Sequence, residues 1–590
     1  MQNPKTTYTS HIEEFQLQLK KLKKQLFASS MLRLVIFLLF GFLVYTFFEN
    51  TKLVVGSIIA AIASFLFLVS RHSDLQQKKK KVEALIKINE IEIQVLNRDF
   101  QHLPAGEEFK NSLHHFSQDI DLFGNRSFFQ YLNRSALASG INKLAQLLTR
   151  NDIGFIPRKQ NSIRELATKV KFRQDFSAIA KLVKVETSTQ TILQWLKGYQ
   201  TFVPSFISWL PKVFSFLSIA VVLSYFLEFI SGYALLGWLI LGLAITGKFL
   251  KNINDLSFRV SKVQETFRQY HQLLALLEKE EFTTELLVTK KEKIINSQQK
   301  ASKILKQFSK AIDALDQRNN MLFGVIGNGF LLWDLQQSLK LERWIITHRN
   351  ELEDWLDVID FFDAYNSLGN FTYNHQTYTF PSINEDGNIL KTTQAVHPLI
   401  HPKDAVTNDY QIDQQEFFII TGANMAGKST FLRTVSLQIV MANVGLPVCA
   451  ATCEYSPIKL ITSMRTVDSL ADEASYFFSE LTRLKFIVDE IKTDRYFIIL
   501  DEILKGTNST DKAIGSRKFV EKLVGSHSTG IIATHDLSLC EVANELPQVK
   551  NHYFDAEIIK NELHFDYRFK NGICQNMNAS FLLKKMEIVD

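Results

Sequence analysis

The run EFFIITGANMAGKSTFLRTV (416–435) concentrates residue types that handle phosphate. Gly422, Ala423, Asn424, Met425, Ala426, Gly427, Lys428 and Ser429 match G-x-x-x-x-G-K-S/T, with Thr430 next in line. Glycines let backbone N–H groups curl around phosphate oxygens, and the positive end of a following helix dipole adds to them. Lys428 supplies a point charge to the β- and γ-phosphates, and the Ser429 hydroxyl is suited to ligate Mg2+. A glycine turn alone carries little weight. Here a buried-strand pattern, Glu416 to Thr421, precedes the turn and an apolar-periodic helix follows it, so the site is expected to bind nucleotide.

Two further strand ends carry matching chemistry. RYFIIL (495–500) is an apolar run that ends in Asp501 and Glu502. An aspartate there can hold the magnesium water shell, and the adjoining glutamate can polarise an attacking water. An isolated Asp-Glu pair is usually a solvated loop; beside a phosphate loop it acquires a role. GIIAT (530–534) is another strand pattern, and His535 at its end is placed to sense the γ-phosphate.

The surrounding patterns say what must position these groups. From near Phe371 short β-rich runs alternate with helices, which predicts an α/β domain with a mostly parallel sheet over 371–590. Residues 75–205 read as a helical core domain, with apolar residues three and four apart in LIKINEIEIQVL (85–96) and INKLAQLLTR (141–150). Residues 251–370 read as long charged helices with apolar stripes, a lever-like arm rather than a globule.

Composition excludes a disordered or fibrous chain: 46% of the 590 residues are hydrophobic and 22% are charged. A formal net charge of +6 does not by itself imply nucleic acid, because the excess can sit at a membrane surface. Four cysteines argue against a disulfide scaffold. Cys449 and Cys453 could meet on a helix turn, but nothing nearby completes a metal set, and plain buried or loop thiols fit better.

The apolar residues are unevenly spread. LVIFLLFGFLVYTFF (34–48) and LVVGSIIAAIASFLFLV (53–69) are separated by four residues, and a second pair covers Val213 to Ile230 and Tyr233 to Leu250. Each run approaches the roughly 20 residues that cross a bilayer. Buried core hairpins are the competing reading, with Glu228 and Lys248 in its favour. The flanking lysines favour the membrane: Lys20, Lys21, Lys23 and Lys24 precede the first pair, Lys78 to Lys81 follow it, and Lys212, Lys248 and Lys251 border the second. The expected layout is a basic amphipathic helix (1–30), a transmembrane hairpin (31–70), the core domain, a second hairpin (206–250), the lever and the α/β domain. It makes a multi-pass protein of the plasma (inner) membrane, with both termini and the phosphate-loop domain cytoplasmic. A secretory signal is not expected, since about thirty polar residues precede the first apolar run.

The motifs together resemble the MutS family, ATPases of DNA mismatch repair within the wider ABC-type class. TGANMAGKSTFLR is similar to that family's phosphate loop. HPL (397–399) and VTND (406–409) resemble its H-P-L and V-x-N segments, ATH (533–535) its A-T-H, and DEILKGTNSTD (501–511) its D-E-x-G-R-G-T-S-T-x-D. SYFFSEL (475–481) resembles a signature whose serine, here Ser475, would reach the nucleotide of a partner subunit. The resemblance therefore implies a homodimeric, ATP- and Mg2+-dependent ATPase. It also brings Asn408 to the nucleotide, and Tyr567 to a place where it could stack on adenine. Residues 121–176 and 353–381 resemble the family's core and lever.

Departures touch function. Phe47-Phe48-Glu49 and Phe226-Leu227-Glu228 spell the family's Phe-x-Glu mismatch wedge, but in or beside proposed spans, where neither is expected to intercalate. No segment before residue 75 is expected to house a mismatch reader, and no nuclease-like extension is expected after the phosphate-loop domain. The second hairpin falls where a DNA clamp would be expected, and Leu504 stands in place of a glycine, which leaves the hydrolysis rate open. Three functions compete: a membrane-anchored ATPase moving helical levers against the hairpins or a cytoplasmic partner, a tethered DNA-binding repair protein, and an ABC-type ATPase driving transport or signalling without DNA.

Overall fold

A computed structural model describes residues 3–182, 189–204, 206, 208–295, 299–385, 387–465, 476–559 and 562–575. Two long helices, α1 (Pro4–Thr46) and α2 (Thr51–Leu96), pack against each other as a hairpin. Asn3 caps the first and Asn50 the second, each side chain accepting a backbone N–H of the first turn. The helix runs without a break through residue 30, so the basic segment and the first apolar run form one rod. Both helices are long and apolar enough to cross a membrane.

The helical core follows as α3 (Phe128–Leu132), α4 (Ala138–Thr149), α5 (Ile156–Thr168), α6 (Val170–Lys181) and α7 (Thr189–Lys197). The second apolar pair forms α8 (Leu210–Phe226) and α9 (Gly232–Lys248). Alone, each has only 17 residues, roughly 25 Å at 1.5 Å per residue. After Phe249 the chain bends by 65° into α10 (Leu250–Lys279), and α9 and α10 pass the same length and hydropathy criteria only as a broken pair. The arm continues through α11 (Glu285–Glu292), α12 (Ala301–Asp316), α13 (Met321–Leu331) and α14 (Trp333–His348) to α15 (Leu352–Asn374).

Helix α15 is buried along most of its length and touches α3 to α7 as well as α10. It also ties down the hairpin. Glu92 of α2 accepts from Arg134 Nε at 2.7 Å and from Asn374 Nδ2 at 2.8 Å, while the Tyr8 hydroxyl of α1 donates to Asn374 at 2.7 Å. Residues some 280 to 370 positions apart thereby join both ends of the hairpin to the helix that enters the C-terminal domain.

Asp363 of α15 accepts the N–H groups of Ala136 and Leu137 at the start of α4. Burial pushes its carboxyl up to about 7, and that of Asp360 up to about 6. An acid whose pKa is raised by folding keeps its proton in the native state where the unfolded chain has lost it. Stability from this pair therefore falls as pH rises from about 4 to 7. Detergent-solubilised protein is expected to melt higher at about pH 6 than at about pH 8, with a shallower slope in Asp363→Asn. An unchanged slope in that variant would place the effect elsewhere.

Among the described residues twelve strands follow α15: β1 (Ser382–Ile383), β2 (Leu390–Ala395), β3 (Asn408–Ile412), β4 (Phe417–Gly422), β5 (Thr452–Tyr455), β6 (Lys459–Ser463), β7 (Tyr496–Asp501), β8 (Thr529–Ala533), β9 (Val549–Phe554), β10 (Ala556–Ile559), β11 (Glu562–Phe565) and β12 (Lys570–Asn571). The main sheet has the order β12-β9-β4-β8-β7-β6. All its pairings are parallel except that of β12 with β9. Strands β1, β5, β2 and β3 form a smaller mixed sheet, and β10 pairs with β11. Every residue of β4 is buried, as a parallel strand covered on both faces requires. Phe418 and Ile420 pack into the core shared with the helical region, whereas Phe417 and Ile419 face the opposite layer. That layer includes α17 (Tyr476–Glu490), α18 (Ser509–Gly525) and α19 (Val542–Glu545); α16 (Lys428–Val444) lies on the first. Cys449 sits in a loop and Cys453 on β5, so the expected helix turn between them does not exist. None of the four cysteines is in a disulfide, and no metal-ligand cluster occurs among the described residues.

Candidate nucleotide-binding site

The chemistry gathers at the C-terminal ends of β4, β7 and β8, adjacent in the main sheet. β4 turns through Gly422 into the loop, and α16 begins at Lys428. Gly422 has φ of +150°, and a Cβ there would lie 2.5 Å from the Phe554 carbonyl oxygen. Gly427 has φ of +110°, where other residues are strained, and caps α16. The loop thus presents backbone N–H groups and a helix N-terminus to one cavity.

Lys428 is buried, its Nζ donating to the Gly422 and Ala423 carbonyls at 2.7 and 3.0 Å and lying 3.3 Å from His535 Nε2. Burial lowers its pKa from the ordinary lysine value. Ser429 Oγ donates to Asp501 Oδ2 at 2.8 Å, and burial raises the Asp501 carboxyl. Glu502 Oε1 lies 2.8 Å from His535 Nε2, and that hydrogen bond holds the Glu502 carboxyl down at about 2. The water-polarising candidate is a carboxylate, and the two candidate catalytic residues face each other.

A cavity of about 420 Å³ is lined by Ala423, Asn424, Met425, Lys428, Ser429, Asp501, Glu502 and His535, with Lys505. Beside it a cavity of about 290 Å³ is lined by Val396, His397, Asn408, Phe431 and Phe554. Gly427, Thr430 and Tyr567 line both. The Tyr567 ring lies 3.3 Å from where a Cβ on Gly427 would stand, covering the loop. Asn408 holds the Tyr567 segment, donating to the Tyr567 carbonyl at 3.1 Å and accepting from the Phe569 N–H at 2.7 Å. Ala426 is buried in the core beneath the loop. Ser475 lies outside the described residues. A larger cavity, about 560 Å³, is lined by Ser139, Lys143, Tyr270 and Asp357 of the helical region and shares no residue with these two.

Contacts that sequence reasoning did not assign complete the site. Buried Glu480 accepts the N–H groups of Leu504 and Lys505 at 2.6 and 3.0 Å, clamping the segment after Glu502. Glu502 and Leu504 both have positive φ, +49° and +60°, so Leu504 occupies a conformation that favours glycine. Phe554 has no local signal in the sequence, whereas Phe431 and Glu480 lie in TGANMAGKSTFLR and SYFFSEL without an assigned role.

The donor set fits a nucleoside triphosphate and its magnesium ion. Ser429 and Asp501 would hold the ion, which when bound polarises phosphoryl oxygens as a Lewis acid.

The family described as MutS domain V matches residues 418–586. Over these residues the chain is similar to the MutS family. Among its relatives is the DNA mismatch repair protein MutS of Thermotoga neapolitana, 28% identical over 288 residues, 48% of this chain and 34% of that protein. MutS protein homolog 4 of Homo sapiens is 31% identical over 214 residues, 34% of this chain and 22% of that protein. MutS of Methanosarcina acetivorans is 31% identical over 235 residues, 38% of this chain and 26% of that protein. The chain therefore spans only about a fifth to a third of the length of these relatives.

Proposed function

We propose that this chain is a membrane-anchored MutS-like ATPase whose nucleotide site is completed across a homodimer and moves helical levers. The observation that carries the reading is the site itself. A phosphate loop, a Ser429–Asp501 pair and a Glu502–His535 pair converge on one cavity, and a neighbouring cavity under Tyr567 is suited to a base. Lys428 attracts the phosphates, Ser429 and Asp501 hold Mg2+, and Glu502 orients and polarises the attacking water while His535 reads the γ-phosphate. Ser475 is assigned to the partner's nucleotide by its motif.

The anchoring half of the proposal is supported by exposed apolar surface. Phe37, Leu38 and Phe42 on α1 and Ile59, Ile62 and Phe67 on α2 are more than half exposed. Each such side chain left in water forgoes about 1.5–3 kcal/mol relative to burial. Lysines cluster at the far ends of this hairpin, the arrangement of a span whose ends stay cytoplasmic. The Glu92–Asn374–Tyr8 network links hairpin to α15, so a change in the ATPase domain has a rigid path to the membrane.

Relatives named for DNA mismatch repair make DNA a candidate partner. The reading without DNA, transport or signalling at the membrane, is favoured by the exposed apolar side chains of α8 and α9. Binding of homoduplex, mismatched and branched DNA by detergent-purified protein, with and without ATP across a salt series, separates the two. A phosphate-contacting groove gives affinity falling steeply with salt; a flat response removes DNA. Carbonate extraction of membranes tests the anchor, and release of the chain into the wash overturns it.

A further inference from the structure

Helix α13 was not visible as a membrane element in the sequence, yet its surroundings are those of one. The fifteen residues from Asn319 to Trp333 contain no Asp, Glu, Lys or Arg. Met321, Leu322, Val325 and Ile326 are 85%, 72%, 40% and 48% exposed. Their spacing puts them on one face of the helix. The other side packs on α9: a Cβ on Gly242 would lie 2.2 Å from the Gly329 carbonyl oxygen, so only glycine permits the approach.

Side chains supply partners to backbone groups at both ends of the helix, which apolar surroundings favour. The Asn320 side chain caps the N-terminus by accepting the Phe323 N–H. At the other end the Leu331 carbonyl accepts from Ser215 Oγ at 3.1 Å and from Gln336 Nε2 at 2.8 Å. The nearest flanking charges, Arg318 and Asp334, neutralise each other at 3.0 Å.

We propose that α13 is a third membrane-embedded element, its Met321–Ile326 face lying in the acyl chains of the cytoplasmic leaflet beside the α8–α9 hairpin. The proposal rests on the membrane reading of that hairpin. Eleven residues rise roughly 16 Å, about half the hydrocarbon thickness, so the helix enters one leaflet and does not cross. α13 packs against both α8 and α9, and Phe216, Ile219 and Leu223 of α8 and Leu236 and Ile240 of α9 are also more than half exposed. A protein interface would need a polar rim around such a patch. Instead the exposed cations Lys212, Lys248 and Lys251 and exposed Trp209 gather at the root of the hairpin, where lipid headgroups would meet them.

Nitroxides attached to Leu322→Cys, Ile326→Cys, Leu223→Cys and Leu113→Cys, in full-length protein reconstituted in phospholipid vesicles, test this, with the labelled wild-type chain as background. Leu223 reports the hairpin, and Leu113, 83% exposed in the core domain, reports water. At 322 and 326 collisions with a water-soluble nickel chelate are expected to be about tenfold rarer than at 113, with oxygen collisions as frequent as at 223. Nickel access at 322 and 326 equal to that at 113, with 223 still lipid-facing, overturns the α13 proposal and leaves the hairpin intact. Shielding of 322 and 326 from both reagents means a protein covers the face and equally overturns it. Water access at 223 as well would overturn the reading on which it rests.

Discussion

Lys428→Ala is expected to weaken ATP binding by about 100-fold, the loss of one charge-assisted contact with a phosphate. The ammonium is buried and its bonds run to carbonyls of the loop itself, so it is pinned against the cavity wall by groups the nucleotide would displace or share. The loop backbone keeps its glycines, and Ser429 keeps Asp501, so the fold around the cavity should persist. Titration with a fluorescent ATP analogue reads the affinity, and an unchanged thermal midpoint without nucleotide shows that the scaffold survives. Wild-type affinity in a folded variant would remove the phosphate-loop assignment.

Glu502→Gln separates binding from turnover. A glutamine is nearly the same size and can still accept from His535, so the 2.8 Å contact survives. What disappears is the negative charge available to polarise water. Affinity for ATP should stay within a few-fold, while steady-state hydrolysis falls about 100- to 1,000-fold, the range of a lost general base. The carboxyl is held near 2, so the wild-type group is ionised throughout the working range, and a rate limb titrating near neutral pH would belong to another group. Wild-type turnover in the variant would transfer the role elsewhere.

The parts of the site that could be read from sequence are those whose chemistry is contiguous. The phosphate loop places strand, glycines, lysine, serine and helix within one stretch, and Asp501, Glu502 and His535 each end an apolar run that can only be a buried strand. The clamp on the segment after Glu502 was unassigned for the opposite reason: Glu480 sits some two dozen residues from the N–H groups it accepts. The aromatic walls at Phe431 and Phe554 are ordinary core residues until the sheet order brings β9 beside β4. The tie from Tyr8 through Asn374 to Glu92 joins the first helix to the last of the arm, a separation no local pattern reports. Helix α13 carries no spanning signal because its eleven residues fall below the length that crosses a bilayer. Periodicity misled at Cys449 and Cys453, where four-residue spacing fits a helix turn but the chain runs as loop and strand.

The central claim is that each ATP site is built by two copies of the chain. Mixing two inactive variants in detergent tests it directly. Lys428→Ala retains Ser475 but lacks a working loop, and Ser475→Ala retains the loop but lacks the serine it would lend to its partner. Random re-pairing should restore about one quarter of wild-type ATPase, because half the dimers are mixed and each holds one intact composite site. Mixtures no more active than either variant alone, with subunit exchange shown by a labelled copy, would contradict the shared site.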